Sequence, residues 1–213
     1  MLVSTSAIRS WLGLASADTG PNDKLKDLSN AVQEFVETTC SRKFEAKLYK
    51  TDPANCYFDG TGQYVMLLPQ FPVWYVNEVN VDADRDFGSA TQIATDDIIL
   101  YEARGQIVSQ GGVLSKNKRN VYVEYYAGYA AGTHNSHDGL GTIGFAVPND
   151  LKQVIVEMVA QSFREGITAV HTVDGEDGGM KFVQMLNNNS MWHKTINSYK
   201  KMDVSAEYGF YIA

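Results

Sequence analysis

The chain has 213 residues, of which 44% are hydrophobic and 20% are charged, and its formal net charge is −7. These values are typical of a globular protein with enough residues to bury a core, and they argue against a protein that grips nucleic acid through clustered Lys and Arg. No apolar run reaches the roughly 18 residues of a membrane span, and the first residues lack the basic start of a signal peptide, so we expect no membrane association and synthesis in a cytoplasm.

Two helices are predicted within residues 4–40. Ser4 or Thr5 caps a short first helix that Gly13 ends. Pro21 stands where the first turn of a second helix tolerates proline, and that helix continues to about Thr39. The apolar stripe of the second helix is Leu25, Leu28, Val32, Phe35 and Val36.

Cys40 and Cys56 are the only two cysteines. We expect buried thiols, with a disulfide as the alternative, because disulfides are rare in cytosolic proteins. The sequence has no CxxC motif, which excludes a zinc site built on paired thiolates.

A period of two over residues 46–126 predicts a central antiparallel β-rich region, with glycines at the turns. The predicted strands are Ala46–Thr51, Asn55–Phe58, Tyr64–Leu68, Val73–Val81, Ile98–Tyr101, Gln106–Ser109 and Asn120–Tyr126. In the fourth of these, Val73, Tyr75, Val79 and Val81 are predicted to share one face, with Glu78, Asn80 and Asp82 on the other.

Asp59–Gly62 predicts a tight hairpin between the pair Tyr57-Phe58 and the run Tyr64–Leu68, because its two glycines supply positive φ. Pro69 and Pro72 end that run. They also form a PxxP motif, which we interpret as a connection between strands and not as an SH3 ligand, because apolar strands flank it.

Tyr122 and Tyr126 flank Glu124 on the face of the last strand that is predicted to point outward. Large outward aromatic side chains indicate a protein interface, while the alternative is that both rings cover a core. Both interpretations stay open at the level of sequence.

Pro148 opens the strongest predicted helix, over residues 148–165, and Gly166 ends it. Its apolar stripe is Leu151, Val154, Ile155, Met158 and Val159. A long glycine-rich loop (130–146) precedes this helix and an acidic loop (174–179) follows it, before a weaker helix over 190–201 with Trp192, Ile196 and Tyr199 on one side.

No motif in the sequence predicts catalysis, a cofactor or a metal site. Gly139–Gly144 spells GxGxxG but lacks the preceding strand that a dinucleotide site needs. Asp82–Asp86 resembles the start of a calcium loop, yet Phe87 takes the place of the glycine that the sharp turn requires. His134 and His137 lie in a glycine-rich loop that is poorly suited to hold a metal.

The last twelve residues, 202–213, are predicted to be an assembly arm. Burying its four apolar side chains yields about 6–12 kcal/mol, whereas ordering its backbone costs about 1–2 kcal/mol per residue. An ordered arm therefore also needs backbone hydrogen bonds, as a strand added to a sheet of this or another chain. The alternative is a tail folded back on its own domain. The four side chains are Tyr208, Phe210, Tyr211 and Ile212.

Several motifs in order resemble the head–tail connector (adaptor) proteins of tailed bacteriophages. Trp11-Leu12-Gly13 matches the family's W/YLG-like turn, and Thr39–Phe44 matches its aromatic-rich TGR.F segment, with Ser41 where the family commonly has glycine. Phe58–Val79 is similar to the stretch FDG.g...l.LP.fPV..V..V. Asn120–Tyr129 and Val147–Lys152 then follow the family's nV.V.Y.aGY strand and vP.dlk.a helix. The resemblance covers about residues 4–165.

The resemblance implies a non-enzymatic virion protein with an α+β fold: N-terminal helices, a β-rich middle and a long amphipathic helix in one domain (1–201), followed by an extended C-terminal arm. It would be made in the host bacterial cytoplasm. About twelve copies would close into a ring between the capsid portal and the next tail or head-completion protein. DNA would pass through the channel without sequence-specific binding.

The acidic residues of the 174–179 loop would line that channel and repel phosphates, or form an ordinary solvated loop. These residues are Asp174, Glu176 and Asp177. The competing functions are a β-sandwich module that binds carbohydrate or protein, which explains the tyrosines but not the amphipathic helices, and a hydrolase with an unfamiliar site.

Overall fold

A computed structural model describes residues 1–15, 19–130, 145–166 and 178–200. These residues form two compact units: a helical unit, Met1–Arg42 with Ala146–Lys200, and a β unit, Lys43–Phe145. The predicted α+β class is confirmed, because helices occur beside antiparallel sheets. The helical unit is discontinuous in sequence, so the first helices and those after residue 148 share one unit.

Six α-helices and nine strands lie within the described residues. The helices are α1 (Thr5–Leu12), α2 (Asn22–Cys40), α3 (Pro53–Cys56), α4 (Asn149–Arg164), α5 (Gly178–Asn188) and α6 (Ser190–Ser198). The strands are β1 (Lys47–Tyr49), β2 (Tyr57–Gly60), β3 (Val65–Leu67), β4 (Val73–Val81), β5 (Ile98–Tyr101), β6 (Gln106–Ser109), β7 (Asn117–Ala127), β8 (Tyr129–Ala130) and β9 (Phe145–Ala146). None of these helices is both long and apolar enough to cross a membrane.

The predicted starts and ends of α1, α2 and α4 are confirmed to within about two residues. The side chain of Ser4 accepts a hydrogen bond from the Ala7 N–H, and Gly13 ends α1 in the left-handed region with φ 69°. Ser41 ends α2 with φ 55°, a conformation that favours glycine. This is the position at which the connector family commonly has glycine.

The helical unit buries one apolar face of each of its helices. Fully burying a Leu, Ile or Val side chain contributes about 1.5–3 kcal/mol, so the stripes predicted from sequence account for most of this core. The rings of Phe35 in α2 and Phe182 in α5 lie 5.4 Å apart between centroids. Besides Phe182, the buried members are Ile8, Leu25, Leu28, Val32, Val36, Leu151, Ile155, Met158, Met185, Leu186 and Ile196.

Helix α5 is an element that the sequence prediction missed. It begins at Gly178, so the last two residues of the predicted acidic loop are helical. Phe182, Met185 and Leu186 are buried at the spacing i, i+3, i+4, which is the signal that was available. A glycine pair before this short stripe and an asparagine run after it conceal the pattern, because both are typical of loops.

The β unit contains two antiparallel sheets around one core. In the first sheet the long strand β7 is central, with β4 along one edge and β1 and β2 sharing the other. The second sheet has the order β3-β6-β5, and β8 pairs with β9 separately. The core shared by the first and second sheets includes Val76, Val79, Val121, Val123 and Tyr125 from the first and Met66 and Ile107 from the second.

The predicted hairpin at Asp59–Gly62 is wrong. Strand β2 pairs with β7, whereas β3 pairs with β6, so this turn carries the chain from one sheet to the other. Asn120 holds the turn: its Oδ1 accepts the Gly60 N–H at 2.9 Å, and its Nδ2 donates to the Ser115 carbonyl at 2.8 Å. These partners are distant in sequence, so a local turn signal could not reveal them.

The predicted strand Asn55–Phe58 also needs correction, because residues 53–56 form the short helix α3. Asp52 caps this helix by accepting the Ala54 N–H at 3.0 Å, and Pro53 occupies the first helical position. The strand begins only at Tyr57.

The interpretation of the PxxP motif as a strand connection is confirmed. Pro69 and Pro72 are buried between β3 and β4, and the peptide bond Phe71–Pro72 is cis. Gln70 lies in the same connection, where its Nε2 donates to Asn55 Oδ1 at 3.1 Å. The prediction of buried free thiols is also confirmed for Cys40 and Cys56.

The structure shortens the predicted loop 130–146. Ala130, Phe145 and Ala146 belong to the paired strands β8 and β9, while residues 131–144, which carry GxGxxG, His134 and His137, lie outside the described residues.

Candidate interaction surfaces

The structure describes only two of the residues that the sequence singled out as functional, Tyr122 and Tyr126. The predicted arm side chains Tyr208, Phe210, Tyr211 and Ile212 lie outside the described residues, as do the predicted channel-facing residues Asp174, Glu176 and Asp177.

Tyr122 is 8% exposed, so it matches the alternative of a ring that covers a core. Its ring centroid lies 5.1 Å from that of Tyr57 and 5.7 Å from that of Phe87. Its hydroxyl lies 3.1 Å from the Lys50 carbonyl oxygen and 3.2 Å from Glu124 Oε2. Burial, followed by the charge of Glu124, raises the pKa of Tyr122 above its ordinary value.

Tyr126 is half-buried and forms the middle of an aromatic row across three strands. The register places it opposite Leu48 of β1 and opposite Tyr75 of β4. Leu48 is 36% exposed and Tyr75 is 41% exposed. We call these three residues, Leu48, Tyr75 and Tyr126, the aromatic row.

The sequence placed Tyr75 on the face of the β4 valines, and this was wrong. The register of β4 against β7 shifts between Val73 and Tyr75, and again between Val76 and Glu78. Each bulge adds one residue and reverses the alternation. The face of β4 that packs on the core therefore carries Val73, Val76, Val79 and Val81. Tyr75 points to the other side, together with Tyr126.

A charged row lies beside the aromatic row on the same sheet face. Glu124 and Glu78 are opposite each other in the register, an arrangement of like charges that is destabilising unless it is compensated. Lys50 Nζ lies 3.1 Å from Glu124 Oε2, and Asn77 Nδ2 donates to Glu124 Oε1 at 2.7 Å. Asn80 Nδ2 donates to Glu78 Oε1 at 2.6 Å. Each carboxylate therefore has a local donor.

The outer side of the second sheet is an apolar face. Alternation turns Val65 and Leu67 of β3, Gln106 and Val108 of β6, and Ile99 and Tyr101 of β5 away from the core. The register aligns Val65, Val108 and Ile99 in one row and Leu67, Gln106 and Tyr101 in the next. Ile99 is 38% exposed and Tyr101 is 53% exposed. We call these six residues, none of which is charged, the apolar face.

The helical unit carries a groove of about 400 Å³ between the end of α1, the second half of α4 and the start of α6. Trp192 forms its buried wall, where its indole N–H donates to Glu157 Oε2 at 2.6 Å and so ties α6 to α4. The exposed ring of Trp11 forms the opposite rim, and Arg164 and Glu165 complete the lining.

The acidic loop after β4 is organised by its own backbone. The Asp82 carboxylate accepts the N–H groups of Asp84, Asp86 and Phe87 at 2.9–3.1 Å. These hydrogen bonds lower the pKa of Asp82. Across the described part of the chain, no group of three or more His, Cys, Asp or Glu side chains is placed to hold a metal ion.

No family model and no curated protein matches this sequence. Solved structures do share its fold. A chain in the neck of an empty gene transfer agent particle, with C6 symmetry, is 20% identical with a TM-score of 0.56. A chain in the virion of the native gene transfer agent is 21% identical with a TM-score of 0.55. A chain in the native particle's neck, with C12 symmetry, is 18% identical with a TM-score of 0.53. In each case the match covers 95% of this chain and 91% of the other.

Proposed function

We propose that this chain is a structural protein of a phage-like virion, in which copies form a ring that connects the capsid portal to the tail and leaves a channel for DNA. One observation carries the proposal: the fold extends over 95% of the chain in common with chains of particle necks that have C6 and C12 symmetry. The order of motifs along the sequence independently suggests the same class of protein.

The surface of the β unit supports a role in assembly. Contiguous apolar patches larger than a few hundred Å² are rare on soluble monomers and mark interaction sites. Here the apolar face presents five apolar side chains and one glutamine with no charge among them. The aromatic row adds a second exposed strip on the other sheet.

The proposed partners are further copies of this chain, about twelve in a closed ring, the portal protein, and the next tail or head-completion protein. The role is non-enzymatic. Residues 202–213 act in this proposal as an arm that engages a partner, and Asp174, Glu176 and Asp177 repel the phosphates of DNA in the channel.

Mass measurement in solution, with the full chain alone and with its cognate portal ring, tests the proposal. We expect the chain to bind the portal ring in many copies, with or without self-association beforehand, because the portal can act as a template. A chain that stays monomeric beside portal rings contradicts the proposal. If that monomer binds a glycan array, the chain is a carbohydrate-binding module instead.

The arm is tested by deleting residues 208–213. We expect the shortened chain to remain soluble and folded, with an unchanged circular dichroism spectrum, and to fail to join the portal ring. Normal assembly by the shortened chain contradicts the arm while leaving the ring proposal in place.

A further inference from the structure

We infer that, before assembly, the aromatic end of the arm (residues 208–212) docks in the groove between Trp11 and Trp192 of its own copy. The inference goes beyond the proposed function, because it concerns the free chain before any partner is present. It assigns an occupant to the groove of the helical unit and a binding site to the arm.

The groove combines apolar walls with carboxylates that already have hydrogen-bond donors. Trp192 is 4% exposed, whereas Trp11 is 48% exposed, so one ring is a fixed wall and the other leaves a large apolar surface in contact with water. Glu157 accepts the indole N–H of Trp192, and Glu165 accepts a hydrogen bond from Gln161 Nε2 at 2.9 Å. An occupant therefore gains chiefly by covering the rings.

The lining favours an uncharged aromatic segment. The two carboxylates repel nucleic acid and acidic peptides, whereas an aromatic ring packs against the indoles and stacks on the exposed guanidinium of Arg164. Residues 208–213 carry no charge and include Tyr208, Phe210 and Tyr211. Of the segments outside the described residues, only the arm contains Phe, Tyr or Trp.

The arm starts within reach of the groove. Helix α6 runs antiparallel to α4, because Trp192 bonds to Glu157 whereas the Tyr199 hydroxyl donates to Asp150 Oδ1 at 2.7 Å. The arm therefore begins at the N-terminal end of α4. From Asp150 to Glu157 and Glu165 is about 10 and 22 Å along the helix, at about 1.5 Å per residue. At about 3.3 Å per extended residue, residues 208 and 212 lie up to about 26 and 40 Å from residue 200.

Tethering favours the groove of the same copy over that of another copy. A short tether gives an effective concentration on the order of 1 mM, so in a solution of about 1 μM chain the attached arm is favoured roughly 1,000-fold over the arm of another copy. Docking only the aromatic end also orders fewer residues than adding the whole arm as a strand would, so its entropic cost is smaller.

A pair of engineered cysteines in the full chain tests the docking. Gln161→Cys places a thiol in the groove wall, and Gly209→Cys places one in the arm. A short bis-maleimide should join the two within one chain, and the yield, measured by mass spectrometry, should not change when the chain is diluted. Cys40 and Cys56 are buried and do not compete.

A matched pair away from the groove is the control. Val183→Cys with Gly209→Cys uses the same arm and an exposed position of α5 in the helical unit, and it should give a several-fold lower yield. Equal yields from the two pairs would show an arm without a fixed site and overturn the inference. A yield that falls on dilution, with covalent dimers, would assign the groove to the arm of another copy and also overturn it.

Substitutions in the arm identify the side chains that dock. Successive side chains of an extended segment point to opposite sides, so Tyr208 and Phe210 enter the groove and Tyr211 faces away. Tyr208→Ser with Phe210→Ser should abolish the cross-link, whereas Tyr211→Ser should retain it. Thermal melting monitored by circular dichroism should show every variant folded. A cross-link that survives in the double serine variant contradicts the docking.

Competition with a free peptide gives an independent measurement. A fluorescent peptide of residues 202–213 should bind the full-length double serine variant, with fluorescence anisotropy as the readout. It should bind wild type about 10-fold or more weakly, because the attached arm occupies the groove. Adding Trp11→Ala to the double serine variant should weaken peptide binding by about 10-fold or more, the effect of removing an interface anchor.

Three results of the peptide experiment would overturn the inference: equal binding to wild type and to the double serine variant, binding that survives Trp11→Ala, or no binding to either chain. Neither experiment contains a portal ring. Failure of the docking therefore leaves the proposed ring function in place, and failure to join a portal ring leaves the docking in place.

Discussion

Lys50, the residue after edge strand β1, places its Nζ 3.1 Å from Oε2 of Glu124 in β7. The side chain of Glu124 is 5% exposed, whereas that of Lys50 is 59% exposed. Because Glu78 faces Glu124 across the sheet, the lysine offsets a repulsion between two carboxylates. The pair thereby helps to hold the sheet face on which the aromatic row lies.

Lys50→Met should lower the free energy of unfolding by about 1 kcal/mol, because solvent screens an ion pair with one exposed partner. Urea denaturation measures this change. Lys118→Met, at an exposed lysine of the same sheet, is the control and should stay within about 0.5 kcal/mol of wild type. If Lys50→Met also has no effect, the hydrogen bonds of Asn77 and Tyr122 alone satisfy Glu124.

Gly60→Ala should destabilise the β unit by about 1–3 kcal/mol, the usual cost of inserting a methyl group into a filled site. A Cβ at this position would overlap the Ser115 carbonyl oxygen and lie 2.7 Å from Asn120 Oδ1. Gly88→Ala is the matched control, because a Cβ at Gly88 meets nothing within 4 Å. The urea midpoints of the two variants are compared with that of wild type. Equal midpoints would show that the hydrogen bonds of Asn120 adjust to the added methyl group at little cost.

Ser41→Gly should stabilise the chain by about 0.5–1 kcal/mol, because relief of the left-handed conformation outweighs the greater freedom of glycine in the unfolded state. Ser10→Gly makes the same change inside α1, where the backbone is helical, and should cost about 0.5–1 kcal/mol. Thermal melting measures the change in stability of both variants. Two shifts of the same sign would contradict a role for φ at Ser41.

Stability should fall above about pH 9 through Cys40. Burial raises the pKa of this thiol from 9.0 to about 11. The folded state therefore keeps a proton that the unfolded state releases, so the stabilising contribution is complete below pH 9 and is lost as the pH rises through 11. Its slope is about 1.4 kcal/mol per pH unit.

Cys40→Ala isolates this effect, since the pKa of Cys56 is also raised by burial and remains in both proteins. We expect a shallower fall of urea-derived stability between pH 9 and 11 in the variant than in wild type. The slopes are compared and not the absolute stabilities, because the substitution also leaves a small cavity. Identical slopes would show that Cys40 ionises equally easily in both states.

The sequence by itself determined helices α1, α2 and α4 and their ends. Ser4, Gly13 and Gly166 act within one turn of their own helices, and the stripes of α2 and α4 repeat over many residues, so both signals are local. Strands β4, β5 and β6 were also bounded correctly, and local breakers mark some of these ends: Pro72 precedes β4, and Gly105 and Gly111 flank β6.

Only the tertiary structure decided which strands pair and which side chains reach the surface. The hairpin prediction at Gly60 failed because Asn120 and Ser115, far along the chain, hold that turn. Two bulges in β4 exist only relative to β7, and they turned Tyr75 outward beside Tyr126. A strand's alternation fixes two faces, but its partner decides which of them is buried, so the surfaces proposed for assembly follow from register.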